Sequence, residues 1–531
     1  MKTKTLTSRD ILSQHVAAFN QTDEETIIQA IPNRQAEAWM QAHIPCVMLP
    51  DPMLEQTYYF RWWTFRKHIK NTPDGTVITE FLPSVPWAGK HNVIDASCCH
   101  HIEEGRWLRD TPILDEYITF LYRSGKPPRN YSNWLEYAVL ELCEARGDPS
   151  LGVKLLPNMI QNHKGWGLER LHPSGLYWSV DDRDATEFSI GGKGGLRPTL
   201  NCYQVANARA ISAFARASGD FVAADRYGVL AHGLAERINR LLWDEKARFY
   251  KALPLADRND QIPQDGFAAA DPRRNVREIW GYTPWVFGVA PKGRADAFRQ
   301  LLDVNGFGAT HGLTTAERRH PGFGLFYTGE ELNAWLVSRG ESPIGPQGHE
   351  CLWNGPSWPF STCLALKAIA NLLDSKEEQH CIHASDYVGL LAQYARQHIR
   401  RIPDGRIVPW IDENLNPDTG DWIARTRLST WEGGTWAEEK GGYERGKDYN
   451  HSSFCDGVIG GLFGVRPSLR EIRISPLFPA CWPYAVLEDV PVHGHLLTIC
   501  YENPRLGGAG YRVALDGECV FASNRPVTFH L

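Results

Sequence analysis

Two clusters of acidic residues sit inside aromatic loops far apart in this sequence. The first is in GLYWSVDDRDATEFSIGG, residues 175–192, where Asp181, Asp182, Asp184 and Glu187 surround Arg183. Four carboxyls so close cannot all ionise cheaply in a semi-buried site. Repulsion and burial keep a proton on at least one of them, which is what a general acid requires. The second is in RIVPWIDENLNPDTGDWIA, residues 406–424, where Asp412 and Glu413 follow Trp410 and Pro417-Asp418-Thr419-Gly420 makes a turn. Cleavage of a glycosidic bond uses two such groups, one protonated toward the leaving oxygen and one ionised toward a water. The plainer readings are solvated acidic turns or a calcium loop; the EF-hand spacing D-x-D-x-D-G is absent.

The chain holds 19 Trp and 19 Tyr. Aromatic rings pack cores, but they also stack on the C–H faces of sugars. Position favours the second use: Trp87 in VPWAG, Trp178 in LYWSVDD, and Trp353 and Trp358 in CLWNGPSWP lie among loop residues.

The elements that must position these loops read as helices. Leu114, Tyr117, Ile118 and Leu121 share one helix face. Ser132 is placed to cap a helix carrying Leu135, Val139 and Leu142 that stops at Gly147-Asp148-Pro149. Residues 199–218 form an Ala-rich helix closed by Gly219-Asp220, and a second follows through Ala231 to Leu242. Further helices are expected over 294–303, 359–373 and 383–398. No fixed 34- or 40-residue repeat supports an open solenoid. A closed ring of helical hairpins, the (α/α)6 toroid, fits the length and gathers the loops at one mouth. After Pro467 the pattern changes: Ile472 and Ile474 alternate with charges, LLTICY and YRVAL read as strands, and Asp516-Gly517 is a hairpin turn. The expected fold is mainly α, a toroid over 1–465 with a helical lead-in and a small β-sandwich over 466–531.

Composition narrows the class. With 531 residues, 43% of them apolar, the chain builds a large core, and its net charge of −6 without a basic stripe disfavours nucleic acid. No apolar run reads as a leader or a membrane span, so a cytoplasmic setting is expected, with free thiols on its 12 cysteines. Cys98-Cys99 reads as packing rather than a redox pair. His100-His101 with Glu103 and Glu104 lacks metal-ligand spacing and reads as structural; no metal or cofactor is expected. GGKGG, residues 191–195, fails the P-loop spacing and reads as a flexible loop at the mouth.

The segment ENLNPDTG resembles the E-N-Y-N-P-x-T-G segment of glycoside hydrolase family 63 and its trehalase-like relatives, and GPSW (355–358) resembles their G-P-I-W. This resemblance implies an inverting hydrolase with Glu413 as the base. DATEFS (184–189) is similar to the trehalase-type S-G-W-D-F-S, which puts the general acid at Glu187, with Asp184 as the alternative because the relatives carry Asp where this chain has Glu. YYFRWWTFRKHI, FLPSVPWAGKHN, HHIEEGRWLRD and KDYNHSSFCDGVIGGL resemble a mannosylglycerate-hydrolase-like branch. Residues within or beside the matched segments become candidates to bind sugar: Arg61, Trp62, Trp87, His91, Asn92, Trp178, Arg183, Asn201, Trp353, Asn354, Trp358 and His451. The substrate expected is a small α-glycoside. Rhamnosides or furanosides, a phosphorylase-type reaction and an inactive sugar-binding relative are the alternatives.

Overall fold

Helices carry most of the chain, and their ends follow local chemistry. The computed structural model describes residues 7–109, 112–124, 128–324, 328–344, 349, 351–402, 404–423, 442, 444–524 and the backbone of 529–530. Helix Pro198–Ser218 starts with Pro in its first turn and ends at Gly219, whose φ of +85° turns the chain back with its N–H on the Ala215 and Arg216 carbonyls. Asp220 then caps Phe221–Leu241 by accepting from the Ala223 N–H. Helix Leu135–Arg146 likewise stops at Gly147. Ser132 is not its cap: Trp134 holds that position, and the Ser132 hydroxyl donates to Asp184 instead. The expected helix over 294–303 divides into a 3-10 turn, Ala295–Phe298, and one α turn, Arg299–Leu302.

The helical contacts close on themselves. Pro52–Lys67 packs on Ala384–Gln397, and that helix on Pro359–Asp374. Thr283–Val286, Pro198–Ser218, Leu135–Arg146 and Cys98–Gly105 follow in turn. The short helix Phe454–Asp456 touches both Cys98–Gly105 and Pro52–Lys67, completing the circuit. Members of the circuit such as Pro52–Lys67 and Pro359–Asp374 are buried on nearly every side. Phe221–Leu241, packed on Pro198–Ser218, is amphipathic and leaves Val222 and Val229 in solvent. Burial of so many polar-bearing helices demands internal partners. Lys67 meets Asp448 at 2.6 Å and Asp23 at 2.9 Å. His101 bonds Tyr117 and the Asn450 carbonyl, while Glu104 accepts the Cys455 and Asp456 N–H groups. Among the described residues the twelve cysteines form no disulfide.

At the C-terminal end, Tyr484–Val492, His495–Glu502, Gly510–Leu515 and Glu518–Ser523 form an antiparallel meander whose last turn is Asp516-Gly517, both at positive φ. Strand Cys46–Met48 completes this sheet by pairing with Tyr484–Val492 in the register Cys46↔Glu488. A second sheet joins Val465–Pro467, Ile472–Ile474 and Phe529–His530. The end of the GGKGG loop is packed: Gly195 pairs with Ser179, and a Cβ there would sit 2.5 Å from the Leu253 carbonyl oxygen.

Candidate active site

The acid-rich loop is shaped by its own backbone. Strand Trp178–Ser179 leads into a 3-10 turn over Asp182–Asp184, and Ala185 and Phe188 adopt left-handed φ of +56° and +57°. Asp184 anchors this loop. It is buried, receives the Arg197 Nε–H at 2.6 Å, and accepts from the Thr199 and Ser132 hydroxyls. Asp184 thus serves the helix beneath the loop and does not line the cavity that Glu187 reaches.

That cavity, of about 280 Å³, is lined by Glu187 and Asp182 on one side and Glu413 and Arg445 on another. It lies near the small end of the usual ligand-pocket range of roughly 300–1,000 Å³. The Trp353 indole donates to Glu187 Oε2 at 3.1 Å, and its backbone N–H donates to the Glu187 carbonyl, also at 3.1 Å. Glu187 is half-buried on the cavity wall. Burial, reinforced by the charges of Asp182 and Asp181, pushes that carboxyl up to about 8. It therefore holds its proton at neutral pH.

Glu413 has a different environment. Strands Ile399–Arg401 and Ile407–Pro409 deliver the chain to Trp410, after which residues 411–415 are buried. The Glu413 carboxylate receives the Arg445 guanidinium at 3.2 Å and the Cys351 thiol at 3.2 Å. Leu415 exchanges two backbone hydrogen bonds with Ser357, at 2.8 and 2.9 Å, tying this loop to GPSW where it runs into helix Pro359–Asp374.

Trp353 and Trp358 form a stacked pair with centroids 4.0 Å apart, and both line the cavity. His451 meets the edge of Trp358 and lies 3.8 Å from the Tyr449 ring. Among the described residues neither of its ring nitrogens has a hydrogen-bond partner, and burial holds its pKa far below the usual histidine range. The remaining wall carries a third carboxyl. Glu80 accepts from the Tyr449 hydroxyl, and burial, with the nearby Glu413 charge adding to it, moves it to about 7. Trp87 faces the same cavity under the Arg445 guanidinium, 4.8 Å from the ring centroid.

One proton-retaining carboxyl and one guanidinium-paired carboxylate thus share a small aromatic-lined cavity. The sequence model of the mannosylglycerate hydrolase MGH1-like glycoside hydrolase domain matches residues 90–452. The chain belongs to this family. A solved structure named "Sialidase" is similar over 99% of this chain and 44% of its own, at 33% identity and a TM-score of 0.84. The chain therefore spans less than half the length of that protein. A GH63 mannosylglycerate hydrolase from Thermus thermophilus, in complex with glucose, is 13% identical over 71% of this chain and 100% of its own, with a TM-score of 0.47. A GH78 rhamnosidase of Bacillus sp. GL1 is 14% identical over 86% and 40% of the two chains, with a TM-score of 0.47. No curated protein sequence matches the chain.

Of the residues singled out in the sequence of this glycoside hydrolase domain, Glu187, Glu413, Trp87, Trp353, Trp358 and His451 meet at the cavity. The others have structural partners. Arg61 is buried and donates to Ser452, and Trp62 is fully buried in the core. His91 bonds Asp74, and Asn92 holds the 81–92 loop through the Phe81 and Pro83 carbonyls. Trp178 donates to the Leu255 carbonyl, Arg183 donates to Asn130, and Asn201 holds the Tyr177 and Arg197 carbonyls. Asn354 is buried beside the Gly322 carbonyl. Glu80, Tyr131, Cys351, Arg445 and Tyr449 also lie on the cavity wall, though none was singled out in the sequence as a site residue. Glu80 immediately precedes FLPSVPWAGKHN and Tyr449 lies inside KDYNHSSFC, so proximity to matched segments was their one signal.

Proposed function

We propose that this chain hydrolyses a small α-glycoside with inversion, with Glu187 as general acid and Glu413 as general base. The observation that carries the reading is one cavity shared by Glu187, whose carboxyl burial holds above the usual carboxylate range, and Glu413, which is paired with the Arg445 guanidinium. Such a split is how two carboxyl groups take on acid and base roles at one pH. Glu187 delivers its proton to the glycosidic oxygen as the anomeric C–O bond breaks. Glu413 accepts a proton from the water that attacks the opposite face, so the released sugar carries inverted configuration. The cavity's small size favours an exo-acting enzyme of short substrates.

The closed circuit of helices supports an (α/α)6 toroid as the scaffold, with the mouth loops carrying both carboxyls. The two antiparallel sheets near the C-terminal end support the small β-sandwich placed over 466–531. No helix among the described residues is long and apolar enough to cross a membrane.

Glu187→Gln and Glu413→Gln should each lower turnover by about 10²–10⁴ with the fold intact. An aryl glycoside with an acidic phenol needs little acid help, so it should partly rescue Glu187→Gln and not Glu413→Gln. Proton NMR of the first-formed sugar should show the inverted anomer. Near-normal turnover by Glu413→Gln, or retention of configuration, overturns the assignment.

A further inference from the structure

A second cavity, of about 620 Å³, adjoins the first and shares Trp87 and Ile94 with it. Its other walls include Val93, Phe120, Leu121 and Ser124. We propose that this groove receives the leaving group of the substrate and selects a neutral, apolar alcohol, one bearing an aryl ring or a comparable hydrocarbon. The inference rests on the hydrolytic reading above and names the substrate class for that same site.

Three observations carry it. The first is continuity on the acid's side. Tyr131 lines the catalytic cavity with Glu187, while its neighbour Asn130 lines the groove. Arg183, from the acid loop, donates to Asn130 at 3.0 Å and lies over the Tyr131 ring, and Ser132 N–H donates to the Arg183 carbonyl at 2.8 Å. The proton goes to the leaving oxygen, so whatever that oxygen carries departs past this junction. The second is capacity. The catalytic cavity is under half the groove's volume, so a ring held there leaves the larger space for the other half of the glycoside. The third is charge. Every charged residue that lines the groove, among those described, is already engaged. Lys90 pairs with Asp74, and Arg129 with Glu169. Asp95 accepts the Asn130 and Tyr131 backbone N–H groups at 2.8 and 3.3 Å. Among the described residues each lining cation already has an anionic partner, while Trp87, 39% exposed, and Phe120 present rings to an apolar leaving group.

The test compares methyl and 4-phenylbutyl α-D-mannopyranosides, with the matching glucosides and rhamnosides. Both leaving groups are primary alcohols and draw equally on acid help. The phenylbutyl-to-methyl ratio of kcat/KM should be at least about tenfold in the parent. It should fall below about twofold in Ser124→Trp and in Asn130→Trp, which fill the groove from two positions. Using the ratio cancels any general loss of activity. Saturation-transfer NMR with free 4-phenylbutan-1-ol reads the groove without catalysis. Transfer should occur with the parent and with Glu187→Gln, and should vanish in either tryptophan variant. A ratio near one in active enzyme, absent transfer to folded parent protein, or transfer that survives both variants overturns the groove while leaving the hydrolase reading standing. Transfer that vanishes as expected without turnover of any glycoside supports the groove and removes the hydrolase reading.

Discussion

Replacing Glu187 by Gln tests the buried proton and its chemical use together. The carboxyl rises from 4.5 to about 8, chiefly through burial and then through Asp182 and Asp181. Between those values the native chain keeps a proton that the unfolded chain has released. Its contribution to stability is therefore full below pH 4.5 and is lost as pH climbs toward 8, at on the order of 1 kcal/mol per pH step. Gln has no proton to lose, and its oxygen can still accept the Trp353 indole N–H. Glu187→Gln should thus exceed the parent in stability by about 2–4 kcal/mol near pH 8, with the gap shrinking toward zero near pH 5. At about 2 cal/mol/K of unfolding entropy per residue, a 531-residue chain gains roughly 1 °C per kcal/mol, so Tm should rise by about 2–4 °C. Scanning calorimetry of both proteins from pH 5 to 8.5 measures this, beside turnover that drops by about 10²–10⁴. A gap that does not grow with pH refutes the retained proton. Full turnover with the expected gap refutes the acid role alone.

Asp184→Asn should cost about 3–5 kcal/mol by leaving the buried Arg197 guanidinium without its anion, seen as a lower Tm; an unchanged Tm contradicts the anchoring role. Tyr449→Phe removes the hydroxyl that favours the charged form of Glu80, so that carboxyl should titrate above its present value of about 7. Carbon-13 NMR of labelled glutamate follows it, and a downward shift contradicts the geometry. Cys351 lines the catalytic cavity and donates to Glu413. Iodoacetamide should therefore abolish turnover of the parent, while Cys351→Ser should stay active and resist the reagent; equal inactivation of both places the critical thiol elsewhere.

Features set by neighbouring residues were legible in the sequence. Gly147 and Gly219 end helices because only a left-handed residue turns the chain there, and Asp516-Gly517 closes a hairpin for the same reason. The loops bearing Glu187 and Glu413 could be recognised by their motifs. Choosing binding residues was harder. Arg61, Asn92, Asn201 and Asn354 have the right chemistry, but a protein with so much irregular chain must satisfy many buried backbone groups, and those side chains do that work. Asp184 stood as the alternative to Glu187 until the fold brought Arg197, thirteen residues further along the chain, onto its carboxylate. Glu80 and Arg445 reach the cavity only through long-range folding, which no local pattern encodes.

The pairing of Cys46–Met48 with Tyr484–Val492 has a consequence for biosynthesis. Nearly the whole helical circuit lies between these partners in sequence. At about 5–20 residues per second, the early strand emerges on the order of tens of seconds before its partner has been made. Through that interval the edge of Cys46, Val47 and Met48 has no ladder to join. The sheet therefore closes only after the helical circuit has been made. A ribosome that stalls within the helical region would hold this apolar edge open to other chains, where chaperones or aggregation compete for it.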